Sequence, residues 1–292
     1  MTNISSELQT QLADSALTAT QDTFVHTPRN SGVPGWARDF SVADRVILIT
    51  GAGQGIGREL ARQFSAAGAI PVIADLNLVN AQRVRDEIIA NDGRATALQV
   101  DIADATSVSD LVQAIMAEHG RIDVLINNAA VFATLDKRHF EMIPLDEWDR
   151  VIRVNVTGPF LCARAVAPIM RAAGWGRIIN VSSDAVPRGV RNYLHYVTSK
   201  SAMIGMTNAM ARELGPDGIN VNCIRPGPVA TEVERAVNPT LDLRRMQLSQ
   251  QCLQRSMVHT DLVGLMIFLS TPASAFITGQ TIACDGGYTH SS

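Results

Sequence analysis

Tyr196 and Lys200 stand four residues apart in Tyr196-Val197-Thr198-Ser199-Lys200, so on a helix a phenol and an amine share one face. Such a pair suits proton transfer. Tyrosine in water titrates near ~10 and is a poor base at neutral pH. An ammonium about 4 Å away, at an effective dielectric near 20, contributes roughly 4 kcal/mol. At about 1.36 kcal/mol per unit, that is about three pKa units. One lysine is therefore enough to bring this phenol into working range. Lysine is also scarce: of 25 Lys and Arg residues only Lys137 and Lys200 are lysines, so basic positions were filled with arginine. A lysine at 200 marks a site that a compact ammonium serves and a guanidinium would not.

Composition narrows the setting. A chain of 292 residues is long enough for one large α/β domain, and no shift in composition marks a second. Net charge is -3 with the signs interspersed, which offers no footprint for nucleic acid. The four cysteines, Cys162, Cys223, Cys252 and Cys284, form no Cys-x-x-Cys pair and read as reduced. The six histidines lack metal-ligand spacing, so no metal is expected. No apolar run approaches the ~18 residues of a membrane span. The first 28 residues carry Glu7, Asp14 and Asp22 but no Lys or Arg, unlike a secretory signal. The expectation is a cytoplasmic protein acting on a small molecule.

The pair must be held by something, and the chain shows regular alternation of apolar runs and helical patterns. Residues 1–40 read as an N-terminal extension, flexible or surface-packed, with one short helix around Ser6 to Leu17 and Trp36 and Phe40 as anchors. Residues 41–292 read as the domain. Arg45 to Thr50 is a run typical of a strand buried on both faces of a parallel sheet. It runs into Gly51-Ala52-Gly53-Gln54-Gly55-Ile56-Gly57 and then a helix through Leu60, Phe64 and Ala67. Between strand and helix, such a loop sets backbone N–H groups where a pyrophosphate sits. The spacing is not Gly-x-Gly-x-x-Gly, since Ile56 holds the last required position.

The second strand, Ala69 to Ala74, ends at Asp75, 18 residues beyond Gly57, where a carboxylate accepts hydrogen bonds from ribose hydroxyls. It would repel a 2′-phosphate, and neither Gln54 nor Leu76 supplies a cation, so NAD is expected over NADP. The alternative is a surface Asp capping the next helix at Asn77. Further elements follow in turn: helix Val79 to Ala90, strand Ala95 to Val100, helix Thr106 to His119, strand Ile122 to Ile126, loop Val131 to Pro144, and one long helix from Leu145 to Met170. Strand Arg177 to Val181 delivers Ser182 and Ser183 at its carboxyl end, where open parallel sheets place their chemistry. After the Tyr196 helix come strand Ile219 to Ile224, a helical lid within Pro228 to Val258, helix Thr260 to Leu269 and a last strand near Thr278 to Ala283.

Thr50-Gly51-x-x-x-Gly55-x-Gly57, Asn127-Asn128-Ala129-Ala130, Asn155-Val156-Thr157-Gly158, Tyr196-x-x-x-Lys200, Pro226-Gly227 and Asp285-Gly286-Gly287 stand in one order across Arg45 to Tyr288. In this the chain resembles the compact single-domain branch of the short-chain dehydrogenase/reductase family. The resemblance implies a doubly wound Rossmann-type parallel sheet flanked by helices, α/β in class, as a single domain. It implies a tetrad of Asn155, Ser183, Tyr196 and Lys200, Ser183 being preferred to Ser182 because it lies 13 residues before Tyr196. Ser183 would hold the substrate oxygen, Lys200 would also hold the nicotinamide ribose, and Asn155 would position a proton-relaying water. NAD contacts would come from Gly51, Gln54, Gly55, Ile56, Gly57 and Asp75, from Asp101 and Ile102 beside the adenine, and from Asn128, Ala129, Tyr196, Lys200, Pro226, Gly227, Val229 and Thr231. Ala130 stands where the family has Gly and would narrow the pocket.

The implied activity is NAD-dependent interconversion of a secondary alcohol, on a polyol, sugar or hydroxy acid, with its ketone. A 3-oxoacyl-type or other carbonyl reductase is the rival within the family, and a catalytically vestigial NAD-binding protein the rival outside it. Ala185, Arg188, Arg191 and His195 are the candidate substrate contacts; the charged ones serve equally well at a subunit interface or in solvent. The resemblance also implies a homotetramer or homodimer.

Overall fold

The computed structural model describes residues 39–230 and 241–290. The expected helix around Ser6 to Leu17, Trp36 and Thr231 lie outside the described residues. All described elements fall in one compact unit, Asp39–Ser292. Seven parallel strands form its sheet: β1 (Val46–Thr50), β2 (Ile70–Asp75), β3 (Thr96–Gln99), β4 (Val124–Asn127), β5 (Gly176–Val181), β6 (Ile219–Pro226) and, after a two-residue pair β7 (Val229–Ala230) and β8 (Met257–Val258), β9 (Thr281–Cys284). Their order is β3-β2-β1-β4-β5-β6-β9, so the winding reverses between β1 and β4. That reversal opens a crevice at the carboxyl ends of the strands.

The apolar runs form strands because both faces are covered. Ile47, Ile49, Ile73, Val124 and Ile179 pack on one side with Leu60, Phe64, Leu262 and Met266. Val46, Leu48, Val72, Leu125 and Ile178 pack on the other with Ile115, Val166 and Met170. The helices are α1 (Gly55–Ala66), α2 (Leu78–Ile89), α3 (Ala105–His119), α4 (Leu145–Ile152), α5 (Gly158–Ala173), α6 (Ala185–Arg188), α7 (Leu194–Leu214), α8 (Leu241–Ser249) and α9 (Thr260–Leu269). Among the described residues no helix is long and apolar enough to cross a membrane, and no group of three or more His, Cys, Asp or Glu is arranged to hold a metal ion. Phe40, at the start of the unit, stacks on Phe268 of α9 at 6.2 Å between centroids.

One local expectation is corrected. The single helix Leu145 to Met170 is interrupted: Arg153–Thr157 is a π turn between α4 and α5, and Asn155 sits inside it. One added residue per turn re-aims a side chain without breaking the helix, and such turns gather at functional sites. Tyr196 and Lys200 share α7 as the spacing expected, and within Ser183 to Lys200 a turn in which Asn192 adopts φ 65° separates α6 from α7.

Candidate active site

A cavity of about 660 Å³ opens at the switch point. One end is set by the turn after β1. Gly51 and Gly55 have φ of 64° and 58°, a region that penalises any side chain. A Cβ on Gly51 would stand 2.7 Å from the Ala129 Cα, and one on Gly57 would stand 2.3 Å from the Gly51 carbonyl oxygen. Thr50 and Asn128 stitch this turn to the end of β4. The Thr50 hydroxyl accepts from the Asn128 and Ala129 amides (3.1 and 3.2 Å), and the Asn128 Nδ2 donates to the Thr50 and Gly51 carbonyls (2.9 and 3.0 Å). The result is a backbone cradle at the N-terminus of α1, whose first amides lack partners within the helix. A dinucleotide's pyrophosphate fits that cradle.

The expected cofactor positions gather accordingly. Gly51, Gln54, Gly55, Ile56 and Asp75 line the cavity, as do Asp101, Ile102, Asn128 and Ala129, with Tyr196, Lys200, Pro226, Gly227 and Val229 at its middle. Gly57 is not on the wall: it lies buried beneath, where its missing side chain lets the turn close. Ala130, the departure from glycine, is also part of the wall. The Asp75 carboxylate accepts from the Gly53 amide (2.8 Å) with one oxygen and from the Asn77 amide (2.9 Å) with the other. Capping of α2 falls to Asn77, whose side chain accepts from Asn80 N. Arg83 donates to the Gly53 carbonyl at 3.3 Å and stays off the cavity wall.

The middle of the cavity carries the paired phenol and amine. Lys200 and Tyr196 lie one turn apart on α7, the ammonium 5.9 Å from the centre of the ring. A buried chain, Asn127 Nδ2 to Asn180 Oδ1 and Asn180 Nδ2 to Thr207 Oγ1, each 2.9 Å, ties α7 to the centre of the sheet. Lys200 Nζ donates to the Val181 carbonyl (2.8 Å) while Ser182 Oγ donates to the Lys200 carbonyl (2.7 Å), pinning this turn to the end of β5. Burial pushes the lysine down from 10.5 to about 8. Ser182 and Ser183 both line the cavity with Tyr196, but the Ser182 hydroxyl is committed to the Lys200 carbonyl, which leaves Ser183 as the serine able to turn to a substrate.

Asn155 stands behind that wall. Its Nδ2 donates to the Val131 carbonyl and to Ser199 Oγ, both at 3.1 Å, and its Oδ1 accepts from the Val131 amide at 2.7 Å. Ser199, not foreseen from sequence, passes the link on by donating to the Tyr196 carbonyl (2.8 Å).

The far end divides the four expected substrate contacts. Ala185 and Arg188 line the cavity; Arg191 and His195 do not. Arg191 is exposed on the turn before α7. His195, adjacent to Tyr196 but rotated about 100° around the helix, is fully buried, with Nε2 3.3 Å from Glu147. Arg188 is ion-paired: it donates to the buried Asp184 carboxylate (2.7 Å) and lies over the Tyr288 ring at 4.2 Å. Burial outweighs that pairing and raises the Asp184 pKa. Asp184 also accepts from Ser183 Oγ at 3.3 Å.

Sequence reasoning missed Asp184, Tyr288, Tyr193 and Lys137 as wall residues. Tyr288 arrives because Asp285 accepts from the amides of Gly287, Tyr288 and Thr289 (3.0, 3.2 and 2.9 Å), curling the C-terminal segment inward. Lys137 had a usable signal, since the scarcity of lysine that singled out Lys200 applies to it equally. Of the stretch Pro228 to Val258 expected to hold a lid, residues 231–240 lie outside the described residues; Met246 and Gln247 of α8 line the cavity.

A family model described as Enoyl-(Acyl carrier protein) reductase matches residues 51–289. The chain is 36% identical over 246 residues to a protein named probable galactose dehydrogenase from Rhizobium meliloti (strain 1021), covering 84% of this chain and 94% of that one. It is 38% identical over 248 residues to a 3-oxoacyl-[acyl-carrier-protein] reductase from Synechocystis sp. (strain PCC 6803), covering 83% and 96%. A solved structure titled as a gluconate 5-dehydrogenase from Burkholderia cenocepacia J2315 in complex with NADP and tartrate matches with a TM-score of 0.82 at 32% identity, covering 87% and 99%.

Proposed function

The chain belongs to the short-chain dehydrogenase/reductase family of oxidoreductases, and from that premise we propose that it interconverts a secondary alcohol of a small polar molecule and its ketone, with NAD as cofactor. The observation that carries the reading is Ser183, Tyr196 and Lys200 on one cavity wall that continues into the glycine cradle.

Bound along the glycine cradle with Asp75 at its ribose and Lys200 beside the nicotinamide, NAD would supply the hydride chemistry of the reaction. The protein supplies the proton side. Tyr196, as phenolate, takes the hydroxyl proton as the C–H electron pair leaves, and the carbon–oxygen double bond forms between them. In reduction it gives that proton back. Ser183 Oγ turns from Asp184 to donate to the substrate oxygen and steadies its developing charge. Lys200 favours the phenolate by its charge, held in place by Val181. Asn155, in its π turn, anchors Val131 and Ser199 around the tyrosine.

NAD is preferred because Asp75 ends β2 at the cavity with its carboxylate fixed by two amides, and among the described residues neither Gln54 nor Leu76 on the wall supplies a cation for a 2′-phosphate. A second reading, reduction of a 3-oxoacyl or other carbonyl compound, draws on the relative of that name. Both are tested by following NADH and NADPH absorbance with polyols, sugars, hydroxy acids and 3-oxoacyl thioesters. Turnover of alcohols with NAD, and at least about tenfold less with NADP because two like charges would be brought together, is expected. Turnover of thioesters alone would favour the second reading, and equal use of NADP would overturn the assignment of Asp75.

A further inference from the structure

The chain has two lysines, and both line the same cavity. Among the described residues Arg188 is the only arginine that reaches that wall. Three cations therefore face the site, and two are already engaged: Lys200 by the Val181 carbonyl, and Arg188 by Asp184. Lys137 has no acidic partner among the described residues. Its ammonium rests 5.5 Å from the centre of the Tyr193 ring. The neighbouring acid does not neutralise it, because Asp136 pairs with Arg138 at 3.0 Å.

The loop carrying Lys137 is tied down at both sides. Leu135 is fully buried and its carbonyl accepts from the Tyr193 hydroxyl at 3.1 Å, while the Arg138 amide donates to the Asn192 carbonyl at 3.1 Å. These bonds join the loop to the turn that leads into α7, so the backbone that carries Lys137 is held relative to Tyr196. Tyr193 and Tyr196 are 5.8 Å apart by ring centres. The separations from Lys137 to Tyr193 and from Tyr193 to Tyr196 together set an upper limit on the distance from the ammonium to the centre of the Tyr196 ring. A chain of four to six carbons, with a hydrogen bond at each end, covers it.

We infer that Lys137 is a substrate-binding cation and that the substrate carries a carboxylate at the end remote from the reacting carbon, a hydroxy acid rather than a neutral polyol. The inference rests on the reading of this cavity as an oxidoreductase site and names the substrate class within it. An exposed positive charge on the cavity wall beside an aromatic face attracts an anion and orients it across the cavity. Arg188 and Asp184, as a neutral pair beside Ser183, receive hydroxyl groups along the chain.

Two matched pairs of compounds test this: D-gluconate against D-glucitol, and tartrate against threitol, each pair sharing a carbon skeleton and differing in carboxylate against hydroxymethyl. The acid is expected to have the higher kcat/KM in wild type. Lys137→Met should lower the acid-to-neutral ratio by about tenfold or more, through KM, and Lys137→Arg should restore most of it. A ratio unchanged in Lys137→Met, or a wild type that turns over the neutral members only, overturns the inference while leaving the oxidoreductase reading intact. If no compound yields NADH, that reading fails, and calorimetry of tartrate on the NAD-saturated enzyme decides separately. Tartrate binding weakened about tenfold in Lys137→Met and kept in Lys137→Arg supports a carboxylate site. Equal affinity in both variants, or no binding by wild type, overturns it.

Discussion

At the glycine end of the cavity the wall is largely backbone, closed by Gly51, Gly55 and Gly57 and stitched by Thr50 and Asn128. At the Lys137 end it is side chains from widely separated segments: the loop after β4, the turn between α6 and α7, α8, and the C-terminal curl at Tyr288. The first end allows little variation, because each glycine is fixed by a positive φ or by a clash that a single Cβ would create. The second is held by ion pairs and ring contacts that tolerate exchange. One end defines a cofactor; the other is free to define a substrate. Tyr196 and Lys200 sit between them and belong to both.

The largest expected effect breaks that shared middle. Lys200→Met should lower turnover by about 10²- to 10⁴-fold. It should also change stability, with the sign set by burial. The lysine titrates at about 8 in the folded protein against 10.5 in its ordinary state. Between those values the unfolded chain holds a proton the folded one lacks, so stability rises with pH across that window. Below about pH 8 the full cost of burying the ammonium, about 3 kcal/mol, is present. Denaturant unfolding at pH 7 should therefore find Lys200→Met more stable than wild type, less about 1 kcal/mol for the bond lost at Val181. The advantage should shrink towards pH 10. A variant that is less stable at pH 7 and inactive would show the lysine to be structural.

Next in size is a probe of the backbone end. Gly57→Ala places a methyl against the Gly51 carbonyl, the Asn128 amide nitrogen and the Ala52 Cα, at 2.3, 2.7 and 2.8 Å. It should cost about 1–3 kcal/mol and weaken NADH binding tenfold or more by fluorescence titration. Gly205→Ala, in a helical position with open space around it, should hold or gain up to about 1 kcal/mol and leave NADH binding unchanged. Equal NADH affinity in both variants would erase the distinction drawn for the glycine cradle. The smallest change belongs to the variable end, the roughly tenfold loss of acid preference at Lys137→Met. It sharpens the contrast if NADH affinity stays constant.

How much was legible in sequence follows the same division. The seven main strands, the glycine turn and Asp75 at the end of β2 are each written in a short contiguous stretch, so local rules recover them. The π turn at Asn155 is one added residue, too small a phase shift to register in a helical pattern. Arg191 and His195 were expected at the substrate from closeness along the chain, but a turn and a helical rotation send them elsewhere. Tyr288 and Lys137 reach the wall only because the winding of the sheet and the Asp285 curl bring distant segments together, which no local pattern states.

The most direct test of the central claim separates cofactor binding from chemistry in one variant. Tyr196→Phe keeps the ring that packs on Phe132 and Tyr193 and removes only the hydroxyl. NADH titration combined with a turnover assay on whichever alcohol wild type oxidises should find the affinity within about twofold and the turnover lower by about 10²- to 10⁴-fold. Turnover comparable to wild type at unchanged affinity would contradict the account, because the proton would then leave by another group.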